Sequence, residues 1–357
     1  MRRTGPAPTF GRTPHLVELV AEAERLVGTL RASDPADRRR LARQREDEAV
    51  LASLQLDGSP LLQLPDPEAA SALVAAPEQE QRRGTWIDTM RSIEDAPDEQ
   101  VQAQECLGVR AGLGSNDLAE RLLVDTVDAL GELHRRLTLG LVAEGRGGLP
   151  REVDQAVHDA SVGRILFFAS DPAHVPAELA LLGTWLASTG SREHAVVASG
   201  ILHLELLRIH PYDAANGRLA RTAARLVLRA RGLDPDGLAC PEPTLASDAL
   251  GYHEEVASTR RRQDASIWLE RWAEAVTAGL RDSARRLGVL DTPVPGRAST
   301  YLDGLDGPAF TVADYRAQAV AEPQEARSDL QALLDTGRIR RVPGSRGLRF
   351  ERLPLEA

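Results

Sequence analysis

His210-Pro211-Tyr212-Asp213-Ala214-Ala215-Asn216-Gly217-Arg218-Leu219-Ala220-Arg221 is the stretch on which the reading of this sequence turns. It separates an apolar segment, predicted as a helix over 193–209, from an amphipathic segment predicted as a helix over 217–231. A loop that ends at a helix amino terminus presents free backbone N–H groups and the positive end of the helix dipole, a ready anion site. Arg218, Arg221 and Arg225 follow at i, i+3 and i+7, so they share one helical face, and their guanidinium forks can hold phosphate oxygens bidentately. His210 can take a proton near neutral pH. Together these groups suit transfer of a phosphate ester. Each taken singly has a plainer reading: His-Pro stops a helix, Asn-Gly turns, and arginines every three or four residues solvate a helix face. Asparagine occurs only at 116 and 216, however, so Asn-Gly-Arg does not arise from an Asn-rich composition.

Composition narrows the chemistry further. Lysine is absent and all 43 basic residues are arginine, which excludes a Walker phosphate loop, a protein kinase, a Schiff-base enzyme and a Ser-Lys hydrolase. The formal net charge of −10, with basic residues spread along the chain, gives no global attraction to nucleic acid or anionic lipid. Cys106 and Cys240 are far apart and without neighbours at ligand spacing, so they read as core residues rather than a disulfide or zinc site. No apolar stretch follows Met1-Arg2-Arg3, and the most apolar segment, Ala195 to Ile209, is too short to span a bilayer. The expectation is a cytoplasmic protein with no membrane partner.

Low aromatic content, 4%, with abundant Leu and Ala points to a mainly helical fold. Residues 1–13 are expected to be disordered, and a helical amino-terminal region is expected over 1–116. It includes apolar residues at helical spacing from Leu16 to Leu41, a helix over 46–58 stopped by Asp57-Gly58-Ser59-Pro60, and helices over 67–76 and 79–95. A second domain is expected over 117–288. It opens with one long helix, Asp117 to Leu139, and continues through a turn at 144–148. A small hairpin near 165–176 and helices over 176–188, 193–209, 217–231 and 265–287 complete it. Residues 289–300 read as a Pro/Gly linker. Over 301–357, helices before Gly337 followed by two Arg-bearing strands resemble a winged helix.

The loop at 210–221 resembles the signature of the Fic (Fido) family, His-Pro-Phe, any residue, Asp or Glu, Gly, Asn-Gly-Arg, two residues, Arg, without a gap in spacing. The resemblance extends over roughly 117–285 and implies a Fic-type helical bundle with a short β-hairpin flap that docks the target's backbone as an added strand. It implies a protein adenylyltransferase: His210 as general base for a Ser, Thr or Tyr hydroxyl on a protein substrate, and ATP as donor. Asn216 would fix the loop and contact phosphate, Gly217 would offer its N–H, Arg218 would hold the β-phosphate and Arg221 the γ-phosphate. Mg2+ or Mn2+ is the family's metal, but its acidic position is Ala214 here, and Asp213, one residue early, is the substitute ligand. Ala215 replaces the family's glycine and Tyr212 its phenylalanine.

The family's inhibitory helix, Ser or Thr, three residues, Glu, then Gly or Asn, is similar to Ser53-Leu54-Gln55-Leu56-Asp57-Gly58. Asp57 stands for the glutamate that would pair with Arg221, one methylene shorter. Two other readings stay open. One is different phosphate-ester chemistry at the same site, such as AMP removal or another donor. The other is an impaired nucleotide-binding or regulatory protein, for which Ala214 is the support. In 301–357, eight arginines meet nine acidic residues. Glu322, Glu325 and Asp329, on or beside the would-be recognition helix, oppose DNA contact there; Arg346 and Arg349 are the better DNA candidates, and self-association as a homodimer is the competing use.

Overall fold

A computed structural model of the chain describes residues 9–66, 68, 70–71, 99–143, 145–159, 164–290, 294–305, 307–336, 338–342 and 349–353. The chain divides into two compact units, Met1–Leu280 and Arg281–Ala357. The first holds α1 (Pro14–Ala32), α2 (Pro35–Leu56), α3 (Glu99–Leu113), α4 (Asn116–Val124) and α5 (Thr126–Leu137). An antiparallel hairpin follows, β1 (Ala156–Asp159) and β2 (Arg164–Phe168). Then come α6 (Val175–Ala187), α7 (Ala195–Ile209), α8 (Asn216–Ala230), α9 (Glu242–Ala246) and α10 (Ala249–Arg262), with α11 (Ser266–Arg286) closing the series. The fold is mainly α, as composition and periodicity imply.

The centre of this unit is α7, in which every residue except Arg208 is buried. It is apolar on all sides because it is packed on all sides, each Leu or Ile contributing about 1.5–3 kcal/mol of burial. Against it lie α8, α6 and α10, and Trp268 and Trp272 of α11 donate their indole N–H groups to Gly200 O and Ser199 Oγ at 2.8 and 2.9 Å. The amino-terminal helices belong to the same unit as the loop at 210–221. The side chains of Thr13 and Asp34 cap α1 and α2, with Pro14 and Pro35 at their first positions. His15 reaches Glu274 at 2.9 Å, and Gly11 N donates to Ser266 Oγ at 2.8 Å.

Several expectations need correcting. Residues 9–13 are placed by partners of their own: Thr9 bridges to Asp264, Gly11 N donates to Ser266 Oγ of α11 and Arg12 pairs with Glu193. Helices α1 and α2 fall in the same compact unit as the later helices, Met1–Leu280. The helix expected over 46–58 begins at Pro35 and ends at Leu56. The long helix expected from Asp117 breaks at Asp125 into α4 and α5. The hairpin lies upstream of where it was expected, β2 pairing with 156–159 because Pro172 starts a helical turn instead of a strand. Gly296–Asp303 is helix, so only part of 289–300 can be linker. Most of the helices expected at 67–76 and 79–95 lies outside the described residues, as does Arg346.

The second unit holds α12 (Gly296–Asp303), β3 (Ala309–Thr311), α13 (Val312–Ala319), α14 (Pro323–Asp335), β4 (Ile339–Arg341) and β5 (Arg349–Arg352), its sheet ordered β3-β5-β4. Tyr301, Phe310, Tyr315, Leu330, Leu333 and Phe350 form its core. Asp329, expected to repel DNA from α14, points inward instead: it accepts from Tyr315 Oη at 2.7 Å and pairs with Arg297. Burial of an unpaired carboxylate would be prohibitive, and these two donors make it tolerable. Glu325 is also taken by Arg297, at 3.1 Å.

Candidate active site

His210 caps the carboxyl end of α7 in the left-handed region, φ 52°, ψ 63°. Its Nδ1 is buried and lacks an aligned hydrogen-bond partner. Burial lowers its pKa to about 4; the Leu207 carbonyl opposes, Arg151 lowers it further, Asp57 raises it and His158 lowers it. The imidazole is therefore neutral at pH 7, the form a general base needs.

Between α7 and α8 the loop is closed by its own side chains. Asn216 Oδ1 accepts from Tyr212 N at 3.0 Å and its Nδ2 donates to Tyr212 O at 2.8 Å, so the asparagine ties the loop's two ends. Tyr212 is buried and stacked on His134, ring centroids 4.1 Å apart. His134 Nδ1 accepts from Gly148 N at 2.9 Å, which requires the other nitrogen to carry the proton; His134 Nε2 thus donates to Ala214 O at 3.1 Å. Gly148 suits this contact because it sits at φ 82° and a Cβ there would lie 2.5 Å from Gly131 O. Ala215 takes φ 56° at the amino cap of α8, a conformation glycine adopts freely and alanine does not.

On the first turns of α8, Arg221 is fully buried and well paired. It donates from Nε to Ser53 Oγ at 2.9 Å, and from Nη2 to Ser53 O at 2.8 Å and Asp57 Oδ1 at 2.7 Å. Burial opposes its charge, but Asp57 and Tyr252 outweigh burial and leave the pKa raised. Arg218 lies between two carboxylates, Nε 3.3 Å from Asp57 Oδ2 and Nη2 3.0 Å from Glu105 Oε1. Its buried Nε and Nη1 have no aligned hydrogen bond. Asp57 itself caps the end of α2, with Gly58 at φ 89° turning the chain away. A methyl built on Gly217 would meet Asp57 Oδ1 at 2.7 Å, so the carboxylate lies against the amino terminus of α8. The shorter acid reaches Arg221 because α2 packs this close.

The remaining sequence candidates fall elsewhere. Asp213 gives its carboxylate to Arg146 Nε at 2.9 Å and its carbonyl to Gln155 Nε2. With Ala214 at the acidic position, and no group of three or more His, Cys, Asp or Glu placed to hold a metal among the described residues, the donor set does not fit the family's divalent cation. Arg225 is structural: it is buried against Glu242 at 3.3 Å and Gly237 O at 2.9 Å. Both cysteines are buried and free, and burial pushes their thiols up to about 11 and about 12.

Residues 125–228 match the model of the Fic/DOC family. The chain carries a Fic domain. Among solved structures, a Fic family protein from Desulfovibrio desulfuricans is similar at 22% identity and TM-score 0.61, with 98% of this chain and 99% of that one covered. A Fic-domain-containing signaling protein from Bacteroides thetaiotaomicron gives 16% identity and TM-score 0.50 over 78% of this chain and 99% of that one. Fic-1 from C. elegans gives 17% and 0.51 over 78% and 74%. At these identities the likeness is one of fold. No curated protein matches the sequence significantly. The Fic match ends within α8 and leaves out α2 and α3, where Asp57 and Glu105 lie.

Sequence reasoning missed Glu105, His134 and Arg151 around the Fic loop. No short motif joins them to it. Only His134, a histidine among the buried apolar residues of α5, left any trace in the pattern. Among the described residues, no helix is long and apolar enough to cross a membrane.

Proposed function

We propose that this protein transfers AMP from ATP to a Ser, Thr or Tyr hydroxyl of a protein, and that α2 restrains it. The observation that carries this reading is the Asp57 carboxylate seated against Arg221 and Arg218 at the amino terminus of α8. An anion already occupies the place that suits phosphates, and a restraint there is consistent with a working site beneath it.

In this reading Asp57 withdraws, and Arg218, Arg221 and the free N–H groups of α8 receive the β- and γ-phosphates of ATP. His210 takes the proton of the target hydroxyl as its oxygen attacks the α-phosphorus. The new P–O bond forms, the bond to the β-phosphate bridging oxygen breaks, and pyrophosphate leaves. The neutral state of His210 supports its role as acceptor, and the Asn216 tie supports a loop held ready before substrate arrives. The exposed Ile165 and Phe168 of the hairpin suit docking of a target strand.

The test is the Asp57→Ala protein incubated with ATP labelled on either the α- or the γ-phosphate. α-Label on protein, with γ-label released as pyrophosphate, is expected, and both are lost in Asp57→Ala/His210→Ala. Retention of γ-label would replace AMP transfer with other phosphate chemistry. Absence of both labels, with ATP still bound, would leave the binding-only reading that Ala214 favours.

A further inference from the structure

Arg151 is a buried cation, 1% exposed, in the loop before β1. Its guanidinium is spent on backbone carbonyls. Nε donates to His210 O at 2.6 Å, Nη1 to Val153 O at 2.7 Å, and Nη2 to Ser170 O and, at 3.3 Å, to Ile209 O. Its own backbone N–H donates to Pro211 O at 2.9 Å. Burial pulls its pKa down, and the fields of Asp154, Asp171, Asp213 and Glu178 oppose that only from a distance. Holding a charge under these conditions is costly, and a neutral donor could serve Val153 and Ser170 as well. What a neutral donor could not do is act on the end of α7.

That end explains the charge. His210 is the carboxyl cap of a fifteen-residue helix, where unsatisfied carbonyls and the negative end of the helix dipole favour a protonated imidazole. A proton acceptor there must be kept neutral against that field. Arg151 occupies the carbonyls of 209 and 210 with a positive charge, and the same fork joins them to the chain entering and leaving the hairpin. We propose that Arg151 is a positioning residue for His210: its guanidinium closes the carboxyl end of α7, fixes the left-handed backbone of His210, and keeps the imidazole free to accept a proton.

The titratable and charged groups that face His210 are Arg151 from this loop, Asp57 from the end of α2 and His158 from β1. Asp57 acts in the opposite sense to Arg151, so the experiment is done both with and without it. The titration does not depend on the AMP-transfer reading, whereas the kinetic measurement rests on it.

The full-length chain labelled with 13C at histidine Cε1 is titrated by NMR, His210 being assigned from the spectrum of His210→Ala. In Arg151→Gln the pKa of His210 is expected to rise by about one unit, with or without Asp57→Ala. Arg151→Lys keeps the charge but replaces the planar fork with a single ammonium. It is expected to titrate as the parent does, yet to lower kcat for α-label transfer at least tenfold in the Asp57→Ala background, with KM for ATP unchanged. An unmoved His210 in a folded Arg151→Gln protein overturns the electrostatic half. An unmoved kcat in Arg151→Lys overturns the positioning half, which this variant tests on its own if Arg151→Gln does not fold. Absence of transfer in Asp57→Ala itself, with the titration shift present, would sink the proposed function and leave Arg151's hold on His210 standing.

Discussion

Ala215 holds φ 56° where the Fic pattern has glycine. A left-handed alanine costs roughly 1–2 kcal/mol, and glycine gives back part of that through its more flexible unfolded chain. Ala215→Gly is therefore expected to raise stability by up to about 1 kcal/mol, read as a higher urea midpoint at unchanged slope. A lower midpoint would contradict the strain argument. The same scale shows what a sequence carries and what it hides. Asn216, Gly217, Arg218 and Arg221 could be read directly because they fall close together in one loop and the first helix turn, and the Ser53/Asp57 pair because it resembles a short family pattern. Arg151 lies 59 residues from the carbonyl it holds and Glu105 sits on another helix from Arg218, so only the fold brings these pairs together. Asp213, one residue off on a tight loop, turns its carboxylate to Arg146.

Between elements, one close approach helps to set where the end of α2 lies. At Gly279 of α11, an added Cβ would lie 1.5 Å from Ala239 O, and the Gly279 carbonyl accepts from Arg45 of α2 at 3.3 Å. Cys240, beside it, gives its thiol to Arg45 O at 3.2 Å. The glycine thus lets α11, the 234–240 loop and α2 come together, and α2 ends in Asp57. Gly279→Ala must push backbone from backbone and is expected to cost about 1–3 kcal/mol in denaturant unfolding. A cost near zero would show that these elements slide freely. The helices α6, α7, α8 and α11 were legible within a residue or two, because their apolar runs are long and bounded by His-Pro, Gly or Pro. Strand β1 was not, since four residues, Ala156 to Asp159, are too short to show alternation.

Over the whole molecule, three buried histidines link stability to pH. His134 and His210 are lowered to about 4 by burial, and His203, enclosed by Tyr252, Trp268 and Trp272, lies well below its usual 6.5. Between about 4 and 6.5 the unfolded chain binds protons that the folded chain refuses, so stability rises with pH and is lost on acidification through this window. For His134 alone the loss between pH 7 and pH 5 is about 2 kcal/mol. The urea midpoint is expected to fall over that interval, and a flat profile would contradict the neutral, buried state of these rings. With its pKa lowered to about 4, His210 itself stays mostly neutral down to pH 5, so over that interval its protonation state changes little.

The most direct measurement is the initial rate of α-label transfer from ATP at pH 7 for the parent, Asp57→Ala and Asp57→Ala/His210→Ala proteins, side by side. Freed arginines and a neutral base predict a rate at least tenfold above the parent in the single variant and background in the double. Equal rates in parent and Asp57→Ala, or label surviving the loss of His210, would contradict the account.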